Sequence, residues 1–305
     1  MLEVVCNGKK IIFDMNDGYD NLLDSDNSYI DFYNDLLEKC DILYKRSFNE
    51  ELNHGLRYAE KIRKTAPNYF VTVKGNPSHV PAPCDPQTEK IKKLIRLLPY
   101  SKYSNSLCYE ENFKAEPVIK SEPKIMFMAR LWDPKGEFKG QLSEEKSEER
   151  VAINKNRANC IRLCRSEFGS RFFGGITYSE FAKKEYPELL IENKGLGNKN
   201  KYLESMKNYD IFIATAGLHQ STGWKFAEYI AASKAIVAEP LRYSSVGGLS
   251  DKVNYFCFEN EFECCEKIEE LFDNQKRYKM MCANRNYYNE FMDCEKIAAR
   301  TLEII

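Results

Sequence analysis

The sequence predicts an α/β protein built as two parallel-sheet domains facing a cleft, the first of them reduced. Three observations predict it. Short apolar runs alternate with helical-period segments on both sides of residue 120, the pattern of strands joined by crossover helices. The chain has 305 residues, enough for two ordinary domains, and 43% hydrophobic against 30% charged residues, a balance that supports a proper core. A polar, irregular stretch over 101–123, ending in Ser121, Glu122 and Pro123, separates the halves.

Residues 10–15 (KIIFDM) read as a strand, stopped by the turn signal Asn16, Asp17, Gly18. Residues 29–39 place apolar groups at helical spacing, and CDILYKRS from residue 40 reads as a second strand. A helix over 49–65 and a third strand over 69–75 (YFVTVKG) complete the first alternation. Four prolines in 76–88 mark a loop, and 91–100 (IKKLIRLLPY) a basic amphipathic helix. The second half opens on an apolar strand at 124–129, followed by a charged, exposed segment over 133–150 and a long helix over 150–168. A strand and glycine turn follow at 171–175, then a helix at 202–210 and a buried strand at 210–216 (DIFIATA). Next come a helix (WKFAEYIAASK), a strand (AIVAEPL), a short strand at 254–258, and helices over 261–273 and 276–304.

Composition excludes several functions. Formal net charge is −1, from 45 basic and 46 acidic residues, so nucleic-acid binding through bulk charge is not expected. Eleven cysteines include no CxxC pair, and the histidines are only His54, His79 and His219, which gives no zinc spacing. The cysteines, among them Cys160, Cys164, Cys264 and Cys265, read as buried small hydrophobes in a reducing, cytoplasmic setting. The N-terminus lacks a signal-peptide layout, and no apolar run approaches the roughly 20 residues that span a bilayer. Neither half has GxGxxG after its first strand, which argues against a dehydrogenase. The 91–100 helix, with Lys92, Lys93 and Arg96, fits either an ordinary surface helix or a peripheral contact at the inner membrane face.

In open α/β sheets ligands sit outside the carboxyl ends of the strands. The stretch from Thr215 to Glu228 is such a place. Gly217, His219, Gln220, Ser221, Thr222 and Gly223 form a small-residue loop between a buried strand and a helix, where free amides and the helix dipole favour phosphate. Lys225 adds a cation, and Glu228, three residues on, a carboxylate able to accept ribose hydroxyls. The other reading is an N-cap by Ser221 or Thr222 with a solvated Lys–Glu pair. Arg130, at the end of 124–130, is a second cation for a departing diphosphate or a salt-bridge partner, and Asp133 beside it a loop cap. Asp14, Asp17, Lys45 and Arg46 end strands of the first half and are expected on the acceptor side of the cleft.

The segment HQSTGWKFAEYIAASKAIVAEP resembles the signature helix of retaining GT-B glycosyltransferases, the group 1-like type of bacterial surface-polysaccharide synthesis. That family has a Glu, seven residues, a second Glu, then a small-residue run and a strand; this chain has Gln220, seven residues and Glu228. The resemblance covers 123–305 and extends more loosely to FDMNDGYD and CDILYKRSF. It implies two Rossmann-like domains, 1–120 on the acceptor side and 121–285 on the donor side, with a closing helix, 286–305, packed back on the first. It further implies transfer from a nucleotide-sugar to a glycan, lipid-linked or protein acceptor, retaining and metal-independent, with no cofactor. Arg130, Lys225 and His219 would be catalytic; Gly217, Gln220, Ser221, Thr222, Gly223 and Glu228 would bind the donor. Gln220 can hydrogen-bond a sugar hydroxyl but cannot stabilise positive charge, which leaves open a catalytically weak nucleotide-sugar-binding partner protein.

Overall fold

The computed structural model describes residues 1–20, 28–73, 108–136, 142–191 and 199–302. The chain opens on a hairpin: β1 (Leu2–Cys6) pairs antiparallel with β2 (Lys9–Asp14). Asn7 and Gly8 turn it with φ of 52° and 76°, the two positive values that match the twist of paired strands. The sequence reading began its first strand at residue 10 and missed β1. Helix α1 (Tyr29–Glu38) starts at Ser28, whose side chain accepts from the Ile30 amide. It leads to β3 (Ile42–Lys45), parallel to β2.

The helix expected over 49–65 is only one turn, α2 (Glu50–Asn53). Tyr58 takes φ 60°, so a right-handed helix cannot run through it. The third parallel strand is β4 (Ile62–Lys64), earlier than the 69–75 expected; there Thr72 makes only an isolated bridge to Tyr109. The first sheet runs β1-β2-β3-β4. The amphipathic helix expected at 91–100 lies outside the described residues. After one turn, α3 (Glu110–Phe113), the second half begins.

There the strands are continuous apolar runs, as strands covered on both faces must be. They are β5 (Ile125–Ala129), β6 (Phe172–Ile176), β7 (Ile211–Ala214), β8 (Ala235–Ala238) and the short β9 (Phe256–Cys257). The sheet is parallel, in order β6-β5-β7-β8-β9. Helix α4 (Glu144–Phe168) starts inside the segment expected to be an exposed loop, capped by Ser143. Then come α5 (Glu180–Glu185), α6 (Lys199–Met206), α7 (Trp224–Ala231), α8 (Glu261–Glu270) and α9 (Asn274–Tyr287).

Alternate residues of β5 face opposite cores. Ile125, Phe127 and Ala129 pack with α4 and α8, while Met126 and Met128 pack with α6 and α7. Cys160, Cys164, Cys264 and Cys265 fill the α4–α8 seam, with Cys164 Sγ 3.9 Å from Cys265 Sγ and no disulfide among the described cysteines. The single closing helix expected is broken: a π-turn spans Tyr288–Met292, and Asp293 re-caps α10 (Cys294–Thr301). Just past α10, Leu302 packs on Ile11, Ile42 and Tyr44 of the first sheet. Among the described residues no helix is long and apolar enough to cross a membrane.

Candidate functional site

The second sheet reverses its strand order between β5 and β7, so the crevice outside their carboxyl ends is where an open α/β sheet binds ligand. Arg130 follows β5 and Thr215 follows β7. Arg157, on α4, ties the two ends together. Its Nη1 donates to the Arg130 carbonyl at 2.5 Å, its Nε to Thr215 Oγ1 at 2.9 Å, and its Nη2 to the Ala216 carbonyl at 2.8 Å. Burial lowers this guanidinium to about 10, opposed by the nearby Glu239 carboxylate. Glu239, just past β8, accepts from the Ala216 amide at 2.6 Å and from Asn156 Nδ2. Burial raises its carboxyl above the ordinary range, against these bonds and Arg157.

The loop from Gly217 to Gly223 is folded on itself. The Gly217 amide donates to the Ser221 carbonyl at 2.8 Å, and a Cβ at Gly217 would lie 2.8 Å from Ser221 Oγ, so a larger residue there would have to turn the Ser221 hydroxyl aside. His219 and Gln220 both take left-handed backbone, φ 57° and 54°. The N-cap of α7 is Gly223, with no side-chain cap bond, so neither Ser221 nor Thr222 caps the helix as the alternative reading required. Its first amides therefore keep the electrostatic character that favours an anion. A narrow crevice at the carboxyl ends of β7 and β8, lined by Thr215, Ala216, Ser221, Gly223, Glu239 and Pro240, opens beside it, one strand over from the switch point.

One helical turn on, Glu228 is buried. Its Oε1 accepts from Lys199 Nζ at 2.5 Å, and its Oε2 has no hydrogen-bond partner among the described residues. Lys225 Nζ sits 4.3 Å above the Tyr202 ring. Burial pulls its ammonium down to about 8; Glu228 opposes the shift, and Lys199 and Arg157 reinforce it. Arg130 is exposed, with its guanidinium 4.5 Å over the Trp132 ring. The structure thus gathers Lys225, Glu228, Lys199 and Arg157 within one electrostatic neighbourhood. The Arg130 side chain joins that neighbourhood in none of the contacts above, though its carbonyl is bound to Arg157.

His219 faces the first half. Its Nδ1 lies 3.3 Å from Asp20 Oδ1, and its Cβ lies 2.8 Å from where a Cβ on Gly18 would stand, so glycine at 18 lets the two halves meet. Gln220 Oε1 accepts from Arg242 Nη1 at 2.6 Å. Together with Tyr19, Tyr29, Glu149 and Tyr243, these residues line an open cleft of about 1520 Å³ between the halves.

Of the four strand-end charges expected in the cleft, none is among its described lining residues. Asp14 and Lys45 are both fully buried, Oδ2 and Nζ 2.8 Å apart, each also bonded to the Tyr33 hydroxyl. In-register pairing of β2 with β3 sets them side by side, and Tyr19 and Tyr33 roof them over, with Lys45 Nζ 4.1 Å from the Tyr19 ring centroid. Burial alone would raise the Asp14 carboxyl; Lys45, Tyr33 and the Asn16 amide hold it below the ordinary value. Arg46 instead bridges the halves: it pairs with Asp17 and donates to the Thr222 carbonyl at 2.6 Å, and neither Arg46 nor Asp17 is among the described lining of the cleft.

Sequence reasoning missed Arg157, Lys199, Glu239 and Arg242. Arg157 had a signal: it shares the apolar face of α4 with Ala158, Ile161, Cys164 and Phe168, where a cation needs partners. Among the described residues no group of three His, Cys, Asp or Glu is placed to hold a metal ion.

Two α/β sheets whose carboxyl ends meet across a cleft, the second carrying the anion-favouring crevice, define the GT-B fold of glycosyltransferases, and this chain has it. Among solved structures it is similar to S. aureus TarM, a point mutant in complex with fondaparinux, α-GlcNAc-glycerol and UDP. That match has 13% identity and a TM-score of 0.53, over 96% of this chain and 50% of that one. A second TarM structure matches with 10% identity and a TM-score of 0.51, over 98% of this chain and 50% of that one. The C-terminal domain of LpcC, a glycosyl transferase group 1 family protein from Francisella tularensis, gives 12% identity and a TM-score of 0.40 over 59% of this chain and 95% of that one. The chain thus spans about half the length of the TarM chains it matches. No family model matches the sequence, and no curated protein matches it.

Proposed function

We propose that the chain transfers a sugar from a nucleotide-diphosphate sugar to a hydroxyl of a glycan, lipid-linked or protein acceptor. The observation that carries this is the crevice at the carboxyl ends of β7 and β8, flanked by a helix N-terminus without a side-chain cap. One turn beyond it lies a buried carboxylate oxygen with no partner among the described residues. Amides of α7 take the diphosphate, and Glu228 Oε2 accepts from the ribose hydroxyls. Lys225, with Arg130 brought in by closure of the halves, neutralises the charge that grows as the anomeric bond breaks. The acceptor oxygen bonds to the anomeric carbon on the face the diphosphate leaves, its proton passing to the leaving phosphate oxygen, so configuration is retained without a side-chain nucleophile. Side-chain cations supply the charge, so transfer should survive a chelator. Likeness supports the reading: TarM, of the same fold, is seen with UDP and α-GlcNAc-glycerol.

A thermal-shift panel of UDP, GDP and ADP with EDTA present tests it. A ligand that binds only the folded state raises its apparent stability. A response to one of them that Glu228→Gln removes is expected; no response to any would overturn the reading. A second reading, a binding partner without turnover, draws on Gln220 standing bonded to Arg242 where the family's first Glu would be. Binding of the intact nucleotide-sugar with neither transfer nor slow hydrolysis across an acceptor panel would favour it.

A further inference from the structure

A separate, partly open pocket of about 120 Å³ lies between the first sheet and the closing helix α10. Phe13, Met15, Val71 and Ile297 make its walls apolar, and Lys64 and Arg300 stand on its lining. No Asp or Glu is among its described lining residues. Arg300 spends its guanidinium on the Glu290 and Phe291 carbonyls and the Phe291 ring, and no carboxylate pairs with it among the described residues. Lys64 Nζ lies 4.9 Å from the Phe48 ring centroid, and among the described residues its carboxylate contact is exposed Glu50, at 3.9 Å. The cavity is therefore apolar inside and carries net positive charge, the complement of a chain with an anionic head. Asn68 Oδ1, also on its lining, is buried with no partner among the described residues and can take a hydroxyl.

Its place in the fold matters as much. Phe13 and Met15 close β2 and Lys64 closes β4, so the cavity sits at the carboxyl ends of the first sheet. Val246 brings in the loop after β8, held by its amide to the Thr65 carbonyl at 3.0 Å. That same loop supplies Glu239 to the crevice beside α7 and Arg242 to the open cleft. We propose that this cavity seats the apolar chain of an anionic amphiphile, with Lys64 and Arg300 on its head group. That this amphiphile is the acceptor rests on the transfer reading above.

Calorimetric titration of the full chain with decyl phosphate, below its micelle concentration, tests this, with decanol and inorganic phosphate as parallel arms. Decyl phosphate should bind at least tenfold more tightly than either. Arg300→Gln and the cavity-filling Ile297→Trp should each weaken it at least tenfold while leaving the nucleotide thermal shift in place. Equal binding of decanol, equal binding of inorganic phosphate, or decyl phosphate affinity untouched by Arg300→Gln would each overturn the proposal, whether or not Ile297→Trp folds. A nucleotide response without amphiphile binding sinks this proposal alone; amphiphile binding without any nucleotide response sinks the transfer reading alone.

Discussion

Arg46 and Thr222, 176 residues apart, are joined directly: the guanidinium of the first half donates to a carbonyl in the loop after β7 of the second at 2.6 Å. The same side chain is paired with Asp17, so its fork is fixed at both ends. Arg46→Gln removes a hydrogen bond from a charged donor and should cost about 1–3 kcal/mol. Urea unfolding midpoints measure that loss. Because Thr222 belongs to the loop beside the crevice, nucleotide affinity should fall several-fold with it. Unchanged affinity alongside the stability loss would mean the loop holds its shape without the first half.

The Asp14–Lys45 pair makes the opposite prediction, a large effect on stability and none on binding. Removing one partner of a buried pair leaves an uncompensated charge and costs about 3–5 kcal/mol. Asp14→Asn and Lys45→Met should each do so, and the double variant should lose less than the two losses added. The pH dependence has a definite sign. The Asp14 carboxyl is held below its ordinary value of 3.8, so its contribution is complete above that pH and is lost as pH falls through the lower folded value. Acid titration of stability should lose this slope in Asp14→Asn. Nucleotide thermal shifts should remain, since both groups lie under tyrosines rather than in the cleft.

The contrast between these pairs shows what the sequence made legible. Position along a strand marked all four residues as strand ends, and the loops that follow such ends do meet the cleft. Depth was not encoded there: Tyr33, from α1, and Tyr19, from the loop after β2, roof over Asp14 and Lys45, and nothing local announces a roof. The second half read more clearly because IMFMA, IFIA and AIVA are continuous apolar runs, and its loop from Thr215 to Gly223 lies where pattern placed it. In the first half Asn7 and Gly8 signalled the hairpin that was passed over. β4, with three residues, is too short for periodicity to show. Arg157 was hidden because a 25-residue helix of mostly polar residues masks one cation on its inner face.

Arg157 should prove the most sensitive residue of the second half. Its three bonds hold the chain ends after β5 and β7, the second of which is one wall of the crevice. Lysine keeps the charge but cannot reach three acceptors in one plane. Arg157→Lys should therefore leave a folded protein destabilised by about 2–4 kcal/mol, with at least two buried acceptors unmet. Nucleotide affinity, read by calorimetry, should drop more than tenfold. A variant with wild-type affinity would show that the crevice is shaped by the loop's own hydrogen bonds, such as Gly217 to Ser221.

Lys225 offers the test that separates charge from shape. Burial brings its ammonium to about 8, so the side chain is cationic below that pH and loses its proton as pH rises through it. If it faces the donor's diphosphate, affinity for the nucleoside diphosphate should fall above about pH 8, by an amount that grows with each further half unit. Arginine stays protonated throughout. Lys225→Arg should therefore flatten the profile above pH 8 even if it binds less tightly below it, and Lys225→Met should be weak and flat. The diphosphate itself does not titrate in that upper range, so an affinity that still falls above pH 8 in Lys225→Arg would move the responsible proton to another group and take Lys225 out of the donor site.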